Sequence, residues 1–575
     1  MAERVQHDRS GRPRPRLSKI ALIVALLAAL AGVSRTIAQD DGKEHARNED
    51  EEREKDGRRH RPDWPMIGQD SRNTRNQPFE RDISPANVQR LAPKWVATTT
   101  GDVSATPAVV NGAVYFGDFG GTFWKLDAET GAVVWSHLVS DYTGIPGDIS
   151  RTSPSLAGNT LVIGDLSAPI MMGIDARTGD LRWSTRLDPD PHAIMTGSPV
   201  LAEDTIYVGT SQSGVSTYPG ALVALDAQTG RIRWRHYSLP NPDGDPLGDN
   251  DPSGGYWGAV MFGPPAVDLQ DGLVFGAFKV AAGEPAAVKA CNAADPNGFN
   301  ESCEQPGSYL SSIVAFDLKT GEPVWSYRVV GDVPWQRACG SQPPAVTWCA
   351  AESDNPLHGG DKWDLGGSGP NVFQIGHGSN KRTVVGIGEK SGVYVALDAK
   401  TGDFIWNTLV GPGGDQGGME WGTAFDGDRI YASITNQHHI PYKLTQNGVI
   451  GNTTVTGGSW AALDPTTGVI LWQTADPQVE TLAGKGTVGV WDLAPVTVAN
   501  GVVYASSMAK LPTQHQMFAL DAATGAILRQ LSAGSSVNSG PAVVDGSVYW
   551  GSGYSRSGVE GSGNHQLYAL TIDGQ

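Results

Sequence analysis

LDAETGAVVW at residues 126–135 returns along the chain as IDARTGDLRW (174–183), LDAQTGRIRW (225–234), FDLKTGEPVW (316–325), LDAKTGDFIW (397–406), LDPTTGVILW (463–472) and LDAATGAILR (520–529). Each copy places an apolar residue and an Asp before a Thr-Gly turn, then runs an apolar strand to a Trp; only the last has Arg529 there instead. The Asp side chain is suited to cap such a turn, and Gly supplies its positive φ. Before most copies stands a second pattern, a small residue, a Pro and an apolar strand: ATPAVVNGAVYFG (105–117), TSPSLAGNTLVIG (152–164), GSPVLAEDTIYVG (197–209) and SGPAVVDGSVYWG (539–551). Each repeat is therefore a small antiparallel sheet. Sheets of this size recurring along one chain, each burying its faces against two neighbours, predict an all-β propeller.

The repeat Asp residues, at 127, 175, 226, 317, 398, 464 and 521, are 48, 51, 91, 81, 66 and 57 residues apart, so the two longest intervals contain loops. After the seventh copy, HQLYALTIDGQ (565–575) begins another repeat and stops before any Trp strand, whereas LAPKWVA (91–97) is a Trp strand with nothing before it. The two halves complete one blade, which gives eight blades in a ring closed by an N-terminal strand and leaves no open sheet edge. Trp135, Trp183, Trp234, Trp325, Trp406 and Trp472 recur once per blade. They read as packing residues between sheets rather than substrate contacts.

Composition agrees: 73 Gly and 37 Pro in 575 residues, without a collagen period, suit many tight turns between short strands. The net charge of −18 opposes a nucleic-acid partner, because counterion release needs clustered Lys and Arg. At the N-terminus, Arg12, Arg14, Arg16 and Lys19 precede the uncharged run Ile20–Val33, and Thr36-Ile37-Ala38 offers small residues for cleavage. Residues 1–38 thus read as a signal peptide, or an N-terminal anchor, and the protein as periplasmic or secreted. The mixed-charge stretch 39–62 reads as a solvated linker and 63–575 as the propeller. The four Cys, at 291, 303, 339 and 349, would oxidise after export. Three connectivities are open, of which two local bridges close the shortest loops. No C-x-x-C-H occurs, so the chain carries no c-type haem of its own.

The A-x-D-x-x-T-G-x-x-x-W repeat resembles that of the quinoprotein alcohol dehydrogenases, eight-bladed propellers that bind pyrroloquinoline quinone (PQQ). The likeness is strongest to the polyvinyl-alcohol dehydrogenase-like branch, through DWPMIGQDSRNTR (63–75), ISPANVQRLAPKW (83–95), the Cys loops and WNTLVGPGGDQGGMEWGTAFDGDRIYASITN (406–436). The resemblance implies oxidation of secondary alcohols, small or polymeric, polyvinyl alcohol or related polyols among them, with an external cytochrome c or quinone as electron acceptor. It also implies a residue set. Trp257 is the indole floor under the quinone; Asp364 is the general base, with Asp361 as its rival; Lys390 is the cation at the quinone oxygens. Arg151 and Thr196 hold the carboxylates and carbonyl edge, and Trp421 and Asn436 complete the cofactor-binding group. One departure concerns metal. Calcium-using members end a strand in T-G-N where this chain has Lys279 and Val280, and SQSGVSTYPG (211–220) lacks an expected acid. Calcium is therefore doubtful, and Lys279 is a candidate for supplying the charge. The alternative reading is a non-catalytic envelope propeller that binds protein partners, since assembly scaffolds share the repeat.

Overall fold

The computed structural model describes residues 63–575 apart from 213–218, 240–256, 280, 284–285, 295–300, 304–305, 330–364, 366, 377, 415 and 556–560. The expected leader and linker, Cys339, Cys349, Asp361 and Asp364 lie outside the described residues.

Each repeat turn is clasped by its own side chains. Asp127 Oδ1 accepts the Thr130 amide at 2.8 Å and the Thr130 hydroxyl at 2.7 Å, and Gly131 takes φ 71°. The same clasp forms at Asp226 and Thr229, Asp317 and Thr320, Asp464 and Thr467, and Asp521 and Thr524. Every turn joins two antiparallel strands, and among the described residues eight antiparallel blades result, spanning 108–138, 155–186, 200–237, 266–328, 371–409, 424–475, 497–531 and 542–572, numbered here as blades 1 to 8; each has four strands, and blade 7 gains a fifth, Asn76–Gln77, parallel to its innermost strand. The last is completed by Leu91–Thr98, which pairs antiparallel with Gln566–Ile572. The ring closes as the half-repeats require. Second strands such as Ala113–Gly117, Thr160–Gly164 and Thr205–Gly209 are buried throughout, which is why they read as unbroken apolar runs. The loop insertion of blade 4 carries a Cys291–Cys303 disulfide, one of the two local bridges expected.

The recurring Trp is the tenon between blades. Trp95, Trp234, Trp325, Trp406 and Trp472 donate their indole N–H to the carbonyls of Ala128, Leu318, Ala399, Pro465 and Ala522 at 3.0–3.2 Å. Each acceptor directly follows the repeat Asp of the next blade. The turn Gly of that next blade lies flat against the same ring: a Cβ on Gly131, Gly321, Gly402, Gly468 or Gly525 would come within 2.5–2.7 Å of the indole. In blade 8 the strand paired with Gln566–Ile572 is Leu91–Thr98, with no repeat turn between them, and facing it Arg529 of blade 7 replaces the indole and donates from Nε to the Leu91 carbonyl at 3.0 Å.

An unforeseen element runs beneath the ring. Residues 64–77 visit the blades in order, meeting the middle of each innermost strand. Trp64 exchanges two backbone hydrogen bonds with Val109, and the carbonyls of Pro65, Ser71, Arg72, Thr74 and Arg75 accept the amides of Leu156, Val267, Val372, Phe425 and Val498 at 2.8–3.0 Å. Gln77 completes the tour by donating its side-chain amide to Val543 O at 3.0 Å, and Met66 and Ile67 pack on blade 3 through Val200 and Ala202. Arg75 is buried, donating to the carbonyls of Val496 and Ile67 and to the Thr106 hydroxyl. Desolvation lowers its pKa to about 9.

The tenon has a quantitative consequence. Gly112 and Gly525 both have positive φ, 75° and 72°, but a Cβ on Gly112 meets nothing within 4 Å. Gly112→Ala should cost about 1 kcal/mol, the left-handed penalty alone. Gly525→Ala must also displace Trp472 and should cost roughly 3 kcal/mol in chemical denaturation. Equal losses would show that the blades do not depend on this contact.

Candidate active site

In each blade the chain enters the innermost strand through a short segment beside the ring axis. The residue three places before the Pro of that entry is Ser104, Arg151, Thr196 and Asn538 in blades 1, 2, 3 and 8; in blade 6, where Ala424 pairs with Tyr431 as Val200 does with Tyr207, Thr423 stands at the Pro position and Trp421 lies two places before it. All five line one cavity of about 380 Å³, mouth included, with Ile67 of the N-terminal segment among its walls.

Three of the five, Arg151, Thr196 and Trp421, were expected to hold the cofactor, and they come from blades 2, 3 and 6. The Arg151 guanidinium stands 4.4 Å from the centre of the Trp421 ring, a cation–π contact. Its Nη2 donates to the Tyr554 hydroxyl at 3.0 Å. Trp421 itself sits at φ 61°, a strained value for a bulky residue that the surroundings must impose. The Thr196 hydroxyl, the Trp421 indole N–H and Asn538 Oδ1 are buried with no hydrogen-bond partner. Unpartnered polar atoms gathered around one cavity call for a polar occupant.

Lys390 follows the second strand of blade 5 and is buried; its Nζ lies 3.3 Å from Glu420 Oε1, next in sequence to Trp421. The Lys390 carbonyl accepts the amides of Gly414 and Gly418 at 3.0 and 2.8 Å, which fixes the backbone of this loop. A Cβ on Gly367 would fall 2.6 Å from Glu420 Oε2 and 2.9 Å from the Trp421 ring. The chain just after Asp364 therefore packs on the same pair.

The other expected residues stand differently. Asn436 is buried at φ 50°, donating to the carbonyls of Ile440 and Gly457 at 3.0 and 3.1 Å and accepting the Ile440 amide at 2.9 Å. Its side chain serves its own loop. Trp257 begins a two-residue strand paired with Ala281–Gly283, and its side chain, like Asp364, lies outside the described residues. Lys279 places its Nζ 4.9 Å from the Phe262 ring centre. Sequence reasoning passed over Asn538, Glu420 and Tyr554. The spacing from Pro541 would have found Asn538, because it matches that of Thr196 from Pro199.

Lys390 and Glu420 give a direct test. Lys390→Met strands a buried carboxylate and should cost about 3 kcal/mol of stability, and adding Glu420→Gln should recover part of it. Additive losses in denaturant titrations would mean that the two side chains are not coupled.

Comparison with known proteins follows the geometry. A family model described as outer membrane protein assembly factor BamB matches residues 92–251 and 456–574. The polyvinylalcohol dehydrogenase of a Pseudomonas species is 25% identical over 547 residues, covering 89% of this chain and 77% of that protein. The polyvinylalcohol dehydrogenase of a Sphingopyxis species is 26% identical over 549 residues, covering 87% and 75%. Among solved structures, the quinohemoprotein alcohol dehydrogenase of Comamonas testosteroni superposes with a TM-score of 0.65 at 20% identity, over 89% of this chain and 81% of that one, a likeness of fold. The chain is thus an eight-bladed propeller similar, over most of its length, to the polyvinyl-alcohol and quinoprotein alcohol dehydrogenases, as its repeats and intervening motifs suggest.

Proposed function

We propose that this protein is an exported, PQQ-dependent alcohol dehydrogenase that oxidises secondary alcohols, polyvinyl alcohol or related polyols among them, and passes electrons to an external cytochrome c or quinone. One observation carries the reading: Arg151, Thr196 and Trp421, named from three separate motifs, line a single axial cavity. The BamB description rests on the shared repeat. Its match leaves out residues 252–455, the interval that contains Trp257, Asp364, Lys390, Trp421 and Asn436.

The donor set suits a flat, anionic quinone. Arg151 matches a carboxylate bidentately, and Thr196 and Trp421 offer buried donors that lack partners. When bound, PQQ supplies a two-electron acceptor for the hydride of an alcohol carbon. The protein contributes the rest. Asp364 takes the hydroxyl proton as the carbon–hydrogen bond breaks. Lys390, positioned by Glu420, offers a cation near developing negative charge. Trp257 provides a stacking floor. Lys279 stands where calcium-using members of the family place a ligand, which leaves calcium doubtful and makes Lys279 a candidate source of the positive charge.

The experiment is a PQQ titration followed by absorbance, coupled to alcohol turnover with an artificial acceptor. Arg151→Gln should weaken PQQ binding at least tenfold, on the order of the penalty for losing one member of a buried charge pair. Asp364→Asn should lower turnover by about 100-fold or more while leaving PQQ affinity nearly unchanged. No PQQ binding, with or without calcium, would favour the non-catalytic propeller.

A further inference from the structure

We propose that the part of the axial cavity facing the N-terminal segment is a subsite for one small oxyanion, a carboxylate group above all, held by the hydroxyls of Thr106, Ser153 and Ser198 and by the charge of Arg75. The three hydroxyl residues stand two places after Ser104, Arg151 and Thr196, each directly before the Pro of its entry segment. All three line the cavity and are buried. They are linked in series across blades 1, 2 and 3. Thr106 Oγ1 accepts from Arg75 Nη2 at 3.2 Å, Ser153 Oγ accepts the Thr106 amide at 2.9 Å, and Ser198 Oγ accepts the Ser153 amide at 2.9 Å. A hydroxyl has one proton to give besides the lone pairs it receives with. Among the described residues these three act only as acceptors, so three O–H donors remain for an occupant.

Arg75 stands directly behind this wall. It donates to Ile67 O at 2.9 Å and to Thr106 Oγ1, and it lies so close to Gly540 that a Cβ there would collide with Nη2; all three neighbours line the cavity. Its remaining bond goes to Val496 O at 3.0 Å. Every one of these acceptors is neutral. Among the described residues no carboxylate pairs with the guanidinium, and burial alone acts on it, lowering its pKa to about 9. A buried cation without a counter-charge is costly. The cavity supplies none either: no Asp or Glu is among its described lining residues, and the charged one is Arg151. Lys390 and Glu420 compensate each other nearby. One guanidinium in the wall, a second behind it and hydroxyl donors beside them favour a negative oxygen over a neutral or cationic occupant. The bond from Arg75 also polarises the Thr106 hydroxyl and strengthens it as a donor. The subsite follows from the cavity alone, whether or not a quinone fills the rest of it.

The test uses the full chain without cofactor, with acetate as the probe. At pH 7, 100 mM sodium acetate should raise Tm by roughly 2 °C over 100 mM sodium chloride. Thr106→Val should remove this gain and Thr106→Ser, which keeps the hydroxyl, should retain it. Should Thr106→Val fail to fold, Ser198→Ala should raise the half-saturating acetate concentration about tenfold. Equal melting in acetate and chloride, a gain that survives Thr106→Val, or a half-saturation unmoved in Ser198→Ala would each overturn the subsite. PQQ titrations in acetate then tell the two sources of carboxylate apart. If a carboxylate of the quinone takes the subsite, acetate raises the PQQ concentration needed for half-saturation; if a free anion takes it, that concentration stays the same. A protein that binds acetate in this way and no PQQ keeps the subsite and refutes the quinone reading.

Discussion

The contact on which the ring depends is the indole of one blade lying in a notch of the next. The notch has two parts, the carbonyl after the repeat Asp and the bare Cα of the turn Gly, and the ten-residue repeat of the following blade spells both. A blade alone leaves both faces of its central strands unburied, so its stability resides in this repeated joint rather than in the sheet itself. Arg529 confirms the logic by exception. Where blade 8 lacks the Asp-x-x-Thr-Gly turn, the Trp is replaced by a guanidinium that reaches a strand carbonyl instead.

Joints at the rim do not by themselves organise the axis. That work falls to residues 64–77, which tie the innermost strands together in order through backbone hydrogen bonds. The segment makes one surface of the cavity through Ile67 and sets Arg75 beside Thr106 and Gly540, both lining residues. Blades 1, 2, 3, 6 and 8 thus deliver side chains to one cavity from the segments that enter their innermost strands, with the identities varied from blade to blade. Chemistry follows from that variation: cation in blade 2, hydroxyl in blade 3, indole in blade 6, amide in blade 8.

The fold was legible almost completely, because each repeat states its turn, its strand and its joint locally. Blade number, ring closure by Leu91–Thr98 and the role of the repeat Trp residues all follow from patterns a few residues long. The N-terminal segment was not legible as a structural tie. Most of its ties to the innermost strands are made by backbone carbonyls, which leave no mark in side-chain identity, and its partners lie up to 466 residues away, as with Gln77 and Val543. The site was legible in part for a related reason. Arg151, Thr196 and Trp421 all lie in the segments that enter innermost strands and line one cavity, whereas the Asn436 side chain is bound within its own loop. Glu420 went unremarked because its function is to hold Lys390, a pairing that only the folded chain brings about.

The central claim is that the axial cavity, built from side chains on separate blades, is where the quinone is held. A crystal structure of the protein grown with PQQ tests it most directly. The account predicts planar density in this cavity with a carboxylate against the Arg151 guanidinium and the Thr196 hydroxyl within hydrogen-bonding distance. Density elsewhere on the ring, or an unchanged cavity at saturating PQQ, would contradict it.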